Sequence, residues 1–150
     1  MAMKLVFTKG PAKYDRMDVI RPGEPVETVD CPKQRILPHD MMHYAVESTL
    51  DARGFLRRVE QGEAATLRMK PESRSDAVER LVEVFQADEW SGATSSPGEL
   101  IEMYRVTCNA RSCSALPIEE GAILAIRASI ERLTALWDAV PVGKSLELEL

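Results

Sequence analysis

Val26-Glu27-Thr28-Val29-Asp30-Cys31-Pro32, followed closely by Pro38-His39-Asp40-Met41-Met42-His43-Tyr44-Ala45-Val46-Glu47, is the stretch in which the chain changes period. Its first half alternates, with Val26 and Thr28 on one side and Glu27 and Val29 on the other, as in a strand. Pro32 ends that strand because it has no amide to donate to a ladder. From Pro38 the spacing becomes helical. Proline suits a first helical position, and Asp40 suits a first turn, where free amides attract negative charge. The helix is expected to run to about Leu50, stopped near Asp51-Ala52-Arg53-Gly54.

Upstream, Lys4 to Thr8 and Tyr14 to Arg21 read as two more strands, broken by Gly10-Pro11 and Pro22-Gly23. With Val26 to Cys31 they form an antiparallel three-stranded meander. Downstream, Gly54 to Gly62 suggests a short helix, and Glu63 to Lys70 is ambiguous. Pro71, Ser73 and Ser75 offer start signals for a stronger helix carrying Ala77, Val78, Leu81, Val82 and Phe85. Ser96-Pro97-Gly98-Glu99 matches a capping box and predicts a helix from Pro97 to about Asn109. The longest helix is expected from about Pro117 to Ala139, with Ile123, Ile126, Ile130, Leu133 and Trp137 facing one way. Leu146 to Leu150 alternates strictly, and such a terminal strand needs the N-terminal meander as its partner. The fold class is therefore α+β: a small, mainly antiparallel sheet with four to five helices on one face, in a single domain spanning residues 1–150.

With 150 residues, 45% hydrophobic and 29% charged, the composition is that of a globular domain. The net charge of -5, with no massed basic face, argues against nucleic acid as a partner. The N-terminus lacks the apolar run of a signal peptide, and no stretch has the apolar length of a membrane span. Three cysteines at uneven spacing favour a reducing compartment over a disulfide framework, so the expected location is cytoplasmic.

The chemistry-bearing residues concentrate on the first helix. Positions 39, 43 and 47 fan across about 80° of one face. His39 and His43, the two histidines of the chain, stand one turn apart, a spacing that lets two imidazoles grip a divalent metal such as zinc. Glu47 is the expected third ligand, with Asp40 as a base on bound water or an orienting group. Glu79, Glu83, Glu102 and Glu131 are further carboxylates that would complete such a site if their helices crossed this one. His39-Asp40-Met41-Met42-His43 resembles the His-Glu-x-x-His signature of zincin metalloproteases, with Asp40 in place of glutamate and no third histidine. More broadly, Cys31-Pro32-Lys33-Gln34 with Leu37 to Tyr44 resembles a segment of a family of small bacterial proteins of similar size and strand-then-helix order, a resemblance that implies no activity.

Other readings stand beside this one. Met42, Val46 and Leu50 share the histidine arc, so the imidazoles also fit a structural role with each nitrogen satisfied by protein groups. The corresponding function is a non-catalytic interaction module, for instance a homodimer joined through the sheet edge or a helix face. A small-molecule pocket between the sheet and the first helix is a third option. Cys31, Cys108 and Cys113 with His39 form a weaker four-ligand zinc set, because buried thiols are common as plain core residues.

Overall fold

Alternation along the strands places their apolar residues on one side of a pleated surface. In the computed structural model, which describes residues 3–65 and 72–150, β1 (Lys4–Thr8), β2 (Tyr14–Ile20), β3 (Glu27–Pro32) and β4 (Ser145–Glu149) form one antiparallel sheet in the order β3-β2-β1-β4. The register sets Leu5 opposite Val19 and Leu148, and Phe7 opposite Met17 and Leu146. Leu5, Phe7, Met17 and Val19 are fully buried beneath the helices. Lys4, Arg16, Ile20 and Glu147 on the other face are exposed, which fits an antiparallel sheet solvated on one side.

Five helices complete the fold: α1 (His39–Leu50), α2 (Phe55–Glu60), α3 (Ser73–Trp90), α4 (Pro97–Ala110) and α5 (Glu120–Asp138), with α4 packed on α3 and α5. The expected α+β architecture holds. Pro38 serves as the N-cap of α1 rather than its first helical residue, and α5 begins three residues after Pro117. The later start of α5 has a tertiary cause. The Tyr104 hydroxyl donates to the Ala77 carbonyl and accepts from the Leu116 amide, holding the chain before α5 out of helix. The Ser96–Glu99 capping box forms as expected. Pro71, expected to help start α3, and residues 66–70 of the ambiguous stretch lie outside the described residues. Among the described residues, no helix is long and apolar enough to cross a membrane.

α1 is the central helix. It packs against α2, α3, α5 and β3, and none of its residues is fully exposed. Met41, Met42, Ala45 and Val46 join the core, as expected for a helix enclosed on most sides. His43 and Glu47 are buried with them. A buried polar side chain without partners costs on the order of a few kcal/mol, so the surroundings must satisfy both.

Candidate metal centre

Glu47 is the most completely engaged side chain of α1. Its Oε1 accepts from the amides of Gly54 (3.0 Å) and Arg57 (2.8 Å), and its Oε2 accepts from the Leu56 amide (3.1 Å). These amides stand at the start of α2, where Leu56 and Arg57 have no carbonyl of their own helix to bond and Gly54 shares its amide with the Ala52 carbonyl, so the carboxylate caps that helix from α1. The remaining contact of Oε2 is His43 Nδ1, at 2.9 Å. The geometry is possible because the chain turns at Asp51, in the left-handed region at φ 51°, and brings Gly54 against the carboxylate. A Cβ on Gly54 would lie 2.6 Å from Glu47 Cδ and 2.6 Å from Val78 Cγ1. Gly54→Ala is therefore expected to destabilise the protein by about 1–3 kcal/mol through overpacking. Chemical denaturation measures this, and an unchanged midpoint would show that the contact relaxes freely.

Both imidazoles are held by their Nδ1 atoms. The Gln34 amide nitrogen donates to the Leu37 carbonyl and to Gln86 Oε1 (2.9 Å), which fixes Gln86 Oε1 as an acceptor. His39 Nδ1, 2.9 Å from the same oxygen, must then be the donor. His43 Nδ1 likewise donates to Glu47, whose oxygens already accept backbone amides. Both Nε2 atoms are thereby left to face the third helix of the site. There, Glu79 of α3 meets His43 Nε2 at 2.6 Å through Oε2 and His39 Nε2 at 3.2 Å through Oε1. The rings lie edge to face, with centroids 4.8 Å apart.

His39, His43 and Glu79 each offer one ligand atom, all within 4.8 Å of one another. Among the described residues they are the one group of three or more such side chains gathered in this way. The structure thus places the two expected histidines together and sets Glu79 in front of them. Glu47 lies behind His43. Asp40 faces β3, where it accepts from the Cys31 thiol at 3.6 Å. Cys108 and Cys113 lie at the end of α4, where the Cys113 amide bonds the Cys108 carbonyl, and they do not join Cys31 and His39 in a ligand cluster.

The charges follow from this arrangement. Burial works against a charged His43, but hydrogen bonds to Glu47 and Glu79 outweigh it and lift its pKa to about 10. His39 is raised as well, burial and the neighbouring His43 charge being overcome by Glu79 and Gln86. Burial alone would raise Glu79, yet hydrogen bonds from both imidazoles hold it well below the usual carboxylate range. Burial, then the charge of Asp40, pushes the Cys31 thiol far up, and burial with the Cys113 contact lifts Cys108 to about 11. Cys31 and Cys108 therefore stay protonated at neutral pH, unlike metal-binding or nucleophilic thiolates.

One side of the site is open. The His43 side chain is 2% exposed, whereas those of Glu79 and His39 are 31% and 39% exposed. Gln86 and Gln34 carried no signal in the sequence reading. Gln86 does stand seven residues after Glu79, on the same stripe of α3, and a polar residue at that spacing marks the stripe as more than core. Searches against protein-family models, curated proteins and solved structures found no match to this chain.

Proposed function

We propose that this protein is a divalent-metal protein in which His39 Nε2, His43 Nε2 and one Glu79 oxygen hold a zinc-class ion. The observation that carries this reading is the anchoring of both Nδ1 atoms while both Nε2 atoms converge on one carboxylate. Metal-binding histidines usually donate their second ring nitrogen to a carboxylate or amide oxygen, which fixes the tautomer. Glu47 and Gln86 supply those oxygens here. Two imidazoles and a carboxylate suit zinc and comparable first-row ions, and the spacing of the histidine pair is that of the zincin motif. Glu79, from another helix, takes the third place that Glu47 was expected to fill. Three protein ligands and an open side leave room for water, as in zinc sites that activate it. Asp40, turned toward Cys31, acts in this reading through its charge beside the imidazoles rather than as a base.

Calorimetric titration of zinc into chelator-treated protein without a histidine tag tests the proposal. One ion is expected per chain. Because the raised histidine pKa values mean that the metal displaces protons, the apparent enthalpy is expected to depend on the ionisation enthalpy of the buffer. Glu79→Gln and His39→Ala, both at partly exposed positions, are expected to weaken binding by more than the roughly tenfold to hundredfold loss caused by removing an outer partner. Zinc affinity unchanged from the unaltered protein in both variants would overturn the assignment.

A further inference from the structure

A separate cavity of about 450 Å³ is lined by the sheet, the 33–38 loop, Met42 of α1, Glu89 of α3 and the second half of α5. Its volume is in the range of small-ligand sites. The core-facing part of its wall is apolar, with Met42 and Ile130 buried and the Trp137 ring set edge-on to Phe7. Its charged groups come from opposite elements: Lys9, Asp15, Lys33 and Arg35 from the sheet and loop, and Glu89 and Asp138 from α3 and α5.

The cations on the first side are incompletely neutralised. Lys9 Nζ donates to the Trp137 carbonyl at 2.7 Å and stands 4.7 Å from the ring centroid, with no carboxylate in ion-pair contact among the described residues. Lys33 pairs with buried Asp15 at 2.7 Å, which engages one of its three donors. Arg35 is exposed, has no ion pair among the described residues, and holds a left-handed φ of 69°. Asp15 also accepts from the Gly10 amide, so its charge is largely satisfied within the protein. Across the cavity, the burial of Glu89 and then the charge of Asp88 raise its pKa against the opposing charge of Arg127.

We infer that this cavity binds a small zwitterion of the amino-acid type. Its carboxylate would face Lys9, Lys33 and Arg35, its ammonium group Glu89 and Asp138, and its apolar body Met42, Ile130 and Trp137. A ligand carrying either charge alone would satisfy one wall and leave the other opposed. The inference is independent of the metal reading, since the cavity does not include His39, His43 or Glu79.

Two-dimensional amide and indole NMR on the chelator-treated protein tests it with three probes of one shape: phenylalanine, 3-phenylpropionate and phenethylamine. Phenylalanine is expected to shift the Trp137 indole and the Lys9 and Gln34 amides, and to bind several-fold more tightly than either singly charged analogue. Arg35→Gly removes one cation while suiting the left-handed backbone, so it is expected to weaken phenylalanine binding without loss of fold. Equal binding of phenylalanine and 3-phenylpropionate would overturn the zwitterion assignment. Absence of shifts at these residues with all three probes at millimolar concentration would overturn the site itself.

Discussion

Glu47→Ala is expected to cost about 3–5 kcal/mol of stability, the scale set by removing one partner of a buried charged pair. The side chain is fully buried, and its loss leaves the amides of Leu56 and Arg57 and the Nδ1–H of His43 without their acceptor, while the Gly54 amide keeps only the Ala52 carbonyl. Each orphaned donor retains its desolvation cost, so the penalty exceeds that of one lost hydrogen bond. Thermal unfolding is expected to fall by roughly 10 °C for a chain of this size. Glu47→Gln preserves the shape but turns an amide group toward donors, so most of the loss is expected to remain. A change below about 1 kcal/mol for the alanine variant would mean that water or backbone rearrangement replaces the cap.

The second large effect is on pH dependence in the metal-free protein. His43 titrates near 6.5 when unperturbed and at about 10 in the fold, so the folded chain binds the proton more tightly. Its contribution is fully present below about 6.5 and is lost as pH rises from there toward about 10. Glu79, whose pKa is lowered, contributes in the opposite sense: its stabilisation is present above its usual value of 4.5 and is lost at lower pH. Together they place the optimum of the pair between about 4.5 and 6.5. Urea midpoints measured in chelator from about pH 6 to about pH 9 should therefore fall. His43→Gln should flatten much of that slope, and saturating zinc should oppose it because the ion takes the place of the protons. A flat profile for the unaltered protein would show that the fold does not hold the His43 proton more tightly than the unfolded chain does.

Much of the architecture was legible because its signals are local. The alternation of Leu146 to Leu150 and the Ser96–Glu99 capping box each act within a few residues, and each element formed where expected. The start of α5 was not legible at Pro117, because a tyrosine on α4 holds Leu116. The site divides in the same way. One helical turn sets His39 and His43 together, so their pairing could be read from spacing alone. Glu79 is one of four carboxylates on the later helices that could complete such a site, and only the packing of α3 across α1 distinguishes it. Glu47 lay on the correct face but serves α2, a role created by the turn from Asp51 to Gly54.

The metal assignment therefore rests on the relation between two helices rather than on the histidine pair alone. Anomalous diffraction at the zinc edge from crystals grown with the metal probes that relation. One strong peak is expected between α1 and α3, about 2.0–2.2 Å from His39 Nε2, His43 Nε2 and a Glu79 oxygen, with Glu47 still capping α2. A zinc ion bound elsewhere, or no peak beside an intact Glu79 bridge between the two imidazoles, would contradict it.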